Sequence, residues 1–320
     1  MTRDLTALVA DLGGTNTRVA LTRGARVRED TIRRFRNADH PDLGAVLRAY
    51  MADCPETPDA ACVAMAGPVR DGVGELTNLD WIVTRSAVAE ATGARTVAVL
   101  NDLQAQGHAI DHLDLDAVQT IRPGRSASER AARLVIGVGT GMNAAAVYRL
   151  GDRTLVPPSE AGHVSLPAQT DTELRLLDWI ASRHGTPGLE DIVSGRGFER
   201  IYAWLGEEAR DSRALKASAI MQALEDGTDP RAHEAACIFV RMLGRAVGNL
   251  TLVHLPFGGV YLCGGVARHF APHLDALGFH AAFMDKGRFA DFMAQFPVHL
   301  VTDDYAALTG SAAHLVELLA

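Results

Sequence analysis

Cysteine is scarce in this chain of 320 residues, and its four copies stand apart. Cys54, Cys62, Cys237 and Cys263 form no C-x-x-C pair and have no histidine at metal-site spacing. They read as reduced structural thiols, which excludes a disulfide framework and makes the cytoplasm the default compartment. Basic charge is also in deficit: 31 Lys and Arg face 39 Asp and Glu, for a formal net charge of −8. That balance argues against nucleic acid or an anionic membrane as a partner. No apolar run is expected to approach the ~20 residues that span a bilayer. Residues 1–6 are polar and lead straight into an apolar strand, so no secretory signal is expected. Low-complexity sequence is missing too, and residues 122–133, rich in Ser, Arg and Ala, read as an exposed loop.

What is present is an ordinary globular composition, 48% hydrophobic and 22% charged. The chain is longer than one typical core, which suggests two lobes. The first organising stretch is Ala7-Leu-Val-Ala-Asp-Leu-Gly-Gly-Thr-Asn-Thr-Arg-Val-Ala-Leu21. Ala7 to Ala10 reads as a buried strand ended by Asp11, and residues 17–21 as an extended return. The loop therefore joins two strands, unlike a P-loop or a dinucleotide fingerprint, in which the glycines open a helix. Gly13 and Gly14 can take the positive φ values that a tight turn needs. Such a tip offers backbone N–H groups and the hydroxyls of Thr15 and Thr17 to an anion. Asp11 would repel a bare phosphate unless Mg²⁺ or its waters lie between them. An ordinary glycine-turn hairpin with a polar end is the alternative.

The chain that follows carries alternating helix and strand patterns. Residues 41–51 show helical spacing with Asp39 as a possible cap. Residues 60–66 read as a buried strand closed by Gly67-Pro68. Residues 97–100 form another, stopping at Asn101-Asp102, where open α/β sheets place ligand-binding groups. Leu134-Val-Ile-Gly-Val-Gly-Thr-Gly-Met-Asn-Ala-Ala-Ala-Val147 then repeats the opening pattern, with Gly139, Thr140 and Gly141 at its tip. Two copies of one hairpin suggest related lobes that offer their tips to a shared cleft. Helices are expected over 173–183 and 234–253, the second apolar almost all round and hence buried. A third glycine tip, Gly264-Gly265, ends the strand before it. A last amphipathic helix begins near Ala306 and uses Leu308, Ala312, Leu315, Val316 and Leu319.

A nucleoside triphosphate would engage all three tips, the first two by phosphate and the third by adenine lying on bare backbone. Asp102, with Asn101 beside it, suits a base that takes a proton from an attacking alcohol. The alternative for Asp102 is a helix N-cap. Glu160, His163 and Glu190 add acceptors and a donor for a polyhydroxylated substrate, although each alone is as readily a surface or packing residue.

Taken together, these residues resemble the bacterial glucokinase family, within the superfamily of sugar kinases, actin and Hsp70. The resemblance is carried by Asp11-Leu-Gly-Gly-Thr-Asn-Thr-Arg18, Thr77-Asn78 with Trp81, Leu100-Asn101-Asp102 and Gly139-Thr-Gly141. It continues through Glu160-Ala-Gly-His163, Glu190 with Ser194-Gly195, Gly258-Gly259, Gly264-Gly265, Asp285-Lys-Gly-Arg-Phe289 and Gly310-Ser311. They run in family order along nearly the whole chain. The resemblance implies an α/β, two-lobed actin/hexokinase-like (ribonuclease H-like) fold. Its small α/β domain would be residues 1–105 with 301–320, and its larger α+β domain residues 106–300, with a cleft between them. It implies phosphorylation of glucose at the 6-hydroxyl, the first step of glycolysis, by a cytoplasmic homodimer using ATP and Mg²⁺. Asp102 would be the general base, and Asn101, Glu160, His163 and Glu190 would hold the other hydroxyls. Asp11, Gly13, Gly14, Thr15, Asn16, Gly139, Thr140, Gly141, Gly264 and Gly265 would serve the nucleotide, with Asp11 reaching Mg²⁺ through water. Neither nucleic acid nor membrane is an expected partner.

Two positions depart from the family pattern. Met142-Asn143 replaces the usual Leu-Gly after the second tip, where asparagine's tolerance of left-handed backbone would preserve the turn. Ala161 stands where glycine is common. A kinase of mannose, glucosamine or fructose, or a catalytically silent sugar sensor, is the alternative function. The zinc-containing repressor/kinase group is disfavoured because no cysteine lies between Cys62 and Cys237.

Overall fold

The computed structural model describes residues 5–54, 56–76 and 79–320. Thr77 and Asn78, and the first four residues of the polar start, lie outside the described residues. The chain divides into two compact units. The first comprises the described residues up to Ala117, Val147–Pro158 and Asp303–Ala320; the second comprises Val118–Ala146 and Ser159–Thr302.

In the first unit the strand Thr6–Leu12 is central. It pairs antiparallel with Asn16–Arg23 and parallel with Ala60–Met65, which pairs parallel with Thr96–Asn101. Both faces of this sheet are covered, so its strands read as unbroken apolar runs. Leu8, Ala10 and Leu12 face a cluster with Val46, Leu47 and Val88, while Ala7 and Val9 join Ala60, Cys62, Ala64 and Leu308 on the other face. Alanine and cysteine on that second face admit two helices close to the sheet. These are Asp102–Ala109 and Ala306–Leu318. Leu319 caps the latter and is 39% exposed, so the helix stops short of one expected apolar position. The early helix runs Leu43–Ala52, and Asp42, rather than Asp39, caps it by accepting from Ala45 N at 2.7 Å.

The second unit repeats the strand plan. Its sheet runs Val118–Arg122, Val298–Val301, Val260–Cys263, Arg133–Val138 and Met142–Leu150 in spatial order, the last strand continuing into the first unit. In each unit a hairpin is followed by two parallel strands added on the side of its first strand. The core is built on the helix Pro230–His254 with Phe198, Phe239 and Phe270 clustered at ring-centroid distances of 4.4–5.6 Å. This helix corrects the expectation about apolar runs: by length and composition it is long enough to cross a membrane. Most of it is buried within the unit, and Arg245 on it pairs with Glu173 through two 2.6 Å hydrogen bonds.

Between the helices Asp102–Ala109 and Ala306–Leu318 lie His108 and His314, with ring centroids 4.6 Å apart. His108 is 6% exposed and its Nδ1 has no hydrogen-bond partner. Burial, reinforced by His314 and His112, pushes its pKa down to about 3 from an ordinary 6.5. The folded protein thus keeps this ring neutral at a pH where the unfolded chain protonates it. Its contribution is complete above pH 6.5 and declines as pH falls from there toward 3. At pH 5 the loss should reach about 2 kcal/mol from this residue alone. Thermal melts at pH 7.5 and 5.0 should show His108→Leu losing less stability across that interval than the wild type.

Candidate active site

The first glycine tip is held from behind by a residue with no sequence prominence. Asn37 is 2% exposed; its Nδ2 donates to Gly13 O at 2.8 Å and its Oδ1 accepts from Thr17 Oγ1 at 2.8 Å. Its own N–H donates to Thr15 O at 2.9 Å. Neither Gly13 nor Gly14 uses the positive φ open to glycine. The turn is closed instead by Gly13 N to Asn16 O at 3.0 Å, and by Asn37. Thr15 is exposed at the tip. Asp11 pairs with Arg18 at 3.2 Å, and Arg18 also lies over the Tyr305 ring. Burial raises the Asp11 carboxyl above the usual carboxylate range, and Arg18 offsets part of that.

Asp102 is the first residue of its helix and is half-buried. The cap is Asn101: its Oδ1 accepts from Leu103 N at 3.0 Å, while Gln104 Oε1 accepts from Asn101 N at 3.1 Å. Asn101 Nδ2 donates to Gly67 O at 3.0 Å. The N-cap position therefore falls to its neighbour; Asp102 follows it in the first turn, at the positive end of the helix dipole, where its Oδ1 also accepts from Leu103 N at 2.9 Å. The helix is fixed along its length. Gln104 Nε2 donates to Val156 O at 2.8 Å. A Cβ on Gly310 would lie 1.7 Å from Ala105 O, so only glycine permits this helix–helix approach.

In the second unit the tip Gly139–Gly141 is closed by Gly139 N to Gly141 O at 2.8 Å and by Gly195 N to Gly139 O at 2.8 Å. Gly195 opens the helix Gly195–Glu208, capped by Ser194. Glu190 Oε2 accepts from Met142 N at 3.0 Å, and its other oxygen pairs with Arg196. The third tip adjoins the second: Gly264 has φ 95°, and a Cβ there would meet Val138 O at 2.5 Å. Gly265 faces open space.

Glu160 and His163 flank the turn Ala161–His163, which lies against the second tip. A Cβ on Gly162 would stand 2.0 Å from Met142 O. Leu189 N donates to Val164 O at 2.9 Å, tying that turn to the one carrying Glu190. Loss of hydration raises the Glu160 carboxyl; nearby His163 opposes this and the Glu190 charge adds to it. The structure thus gathers Gly139–Gly141, Glu160, His163, Glu190, Gly264 and Gly265 in the second unit. Asp11, residues 13–16, Asn101 and Asp102 belong to the first. Asn143 is not left-handed, contrary to expectation; it lies in a strand.

Among the described residues no three His, Cys, Asp or Glu are placed to share a metal ion. A lone carboxylate beside a glycine tip fits Mg²⁺, which keeps most of its waters and takes few protein ligands.

The family model described as "Glucokinase" matches residues 8–318. A glucokinase of Erwinia tasmaniensis is 35% identical over 98% of both chains. The crystal structure of a glucokinase from an Antarctic psychrotroph superposes with a TM-score of 0.83 at 32% identity, covering 97% of this chain and 98% of that one. A Balamuthia mandrillaris glucokinase solved with glucose gives a TM-score of 0.82 at 24% identity, a likeness of fold, over 98% of this chain and 93% of that one.

Gly162→Ala should force the turn away from the Met142 carbonyl, since neither backbone can swing aside as a side chain would. A loss of about 1–3 kcal/mol is expected. Chemical denaturation should detect it, and the glycine at 265, open to space, should tolerate alanine far better.

Proposed function

The chain belongs to the glucokinase family, and on that footing we propose that it transfers the γ-phosphoryl group of ATP to the 6-hydroxyl of glucose. The observation that carries this reading is the grouping in the second unit: a carboxylate pair and a histidine, suited to sugar hydroxyls, lie against a glycine tip suited to phosphates.

In this reading Asp102 accepts the proton of the 6-hydroxyl as that oxygen forms its bond to the γ-phosphorus and the bond to ADP breaks. Asn101, with both ends of its amide engaged, serves by fixing the helix start that presents Asp102. Glu160, His163 and Glu190 hold the remaining hydroxyls. Glu190 also supports the tip, so sugar and phosphate sides share one carboxylate. Backbone N–H groups of the two tips bind phosphate, other than those of Gly13 and Gly139, which close their own turns, and Gly264-Gly265 gives adenine a flat backbone surface. Mg²⁺, bound with the nucleotide, supplies neutralisation of phosphate charge; Asp11, paired with Arg18, would hold it through water.

Asp102→Asn keeps size and cannot accept a proton at neutral pH. Turnover should fall by about 10²–10⁴, the usual contribution of a positioned base. Glucose affinity should change by less than about tenfold, because the other sugar ligands remain. Because Asn101 is the cap, Asp102→Asn should cost the helix no more than about 1 kcal/mol, the usual worth of a first-turn carboxylate. Steady-state kinetics with calorimetric glucose binding measure both quantities, and a variant keeping more than about a tenth of kcat would remove Asp102 from the mechanism. EDTA should abolish ADP release, and added Mg²⁺ should restore it without zinc.

A further inference from the structure

Asn143 does what a glycine at that place cannot. Its Nδ2 donates to Ser159 O at 2.7 Å, and its Oδ1 accepts from Ala161 N at 2.9 Å and from Ala144 N at 2.8 Å. One side chain therefore grips the backbone on both sides of Glu160. The grip falls where the chain re-enters the second unit after Val147–Pro158. Glu160 itself has φ −125° and ψ 54°, outside the regular helical and extended regions. The neighbouring bonds, His163 N to Glu160 O at 3.1 Å and Val164 N to Ala161 O at 3.3 Å, are internal to the turn and do not anchor it. The glycine tip, in contrast, has anchors of its own in Glu190 and Gly195.

We propose that Asn143 is a positioning residue for the sugar side of the site, holding the 159–161 backbone so that Glu160 is presented to the hexose. The inference rests on the assignment of Glu160 to sugar made above. It separates two functions that adjoin in sequence: residues 139–141 serve phosphate, and Asn143 serves sugar from the same strand.

Kinetics of Asn143→Ala and Asn143→Asp test it. Loss of the bonds to Ser159 and Ala161 should raise KM for glucose between about fivefold and a hundredfold, with KM for ATP within about twofold of wild type. Aspartate retains the acceptor for Ala161 N but sets a carboxylate oxygen against Ser159 O, so its KM for glucose should rise at least as far as alanine's. An unchanged KM for glucose, or equal rises in both KM values, would overturn the proposal. Hydrogen exchange of the Ala161 amide in the sugar-free protein gives a second reading. It should quicken in Asn143→Ala while the Met142 amide stays protected, and unchanged exchange would refute the tie. Should the wild type neither bind nor phosphorylate glucose, the functional reading fails, and the exchange data still decide whether Asn143 holds this segment.

Discussion

Two of the segments that carry candidate site residues are placed by backbone lying on backbone. Gly310 sits against the Ala105 carbonyl beneath the helix that begins at Asp102, and Gly162 sits against the Met142 carbonyl between Glu160 and His163. At either place a single methyl group would overlap a main-chain oxygen. Side chains yield by changing rotamer, whereas main chain yields only by moving an element, so such contacts fix position to within a few tenths of an ångström. A phosphoryl-transfer site asks mainly for that kind of placement.

The same economy appears in the sheets. Ala60, Cys62 and Ala64 line the face that receives Ala307, Leu308 and Ala312, and this small-residue seam lets the helix carrying Gly310 come near enough to clamp its neighbour. The large apolar side chains are used on the opposite face and in the second unit, where Phe198, Phe239 and Phe270 fill the space beside the long helix. Core volume and site geometry are thus coupled: the face that must be thin is built from alanine, and the face that must be stable from leucine, valine and aromatics.

Charged groups at the tips and in the core are not left alone. Asp11 has Arg18, Glu190 has Arg196 and the Met142 amide, and the buried Glu173 has Arg245. The first two pairs are half-open to solvent, so each is worth little as stability and serves to aim a carboxylate. The third is 6% exposed on each side and knits the helix Asp171–His184 to the helix Pro230–His254. Removing one member there would strand a buried charge, which is far costlier than never having placed the pair.

Periodicity and turn chemistry reached the strands, the three glycine tips, the long buried helix and the abrupt stop at Asn101-Asp102, because each is written in residues a few positions apart. They also reached the duplicated hairpin, whose strand order recurs in both units. Asn37, the grip of Asn143 and the return of Val147–Pro158 to the first unit left no local trace. Asp42 was passed over for Asp39 because both precede the same apolar spacing, and only backbone geometry chooses between caps. The division has a physical cause. Burial pattern is a property of neighbouring residues and survives in sequence alone, but a side-chain amide bonding a carbonyl 16 residues on, or a carboxylate meeting an N–H 48 residues back, exists only once the chain has folded and brought them together.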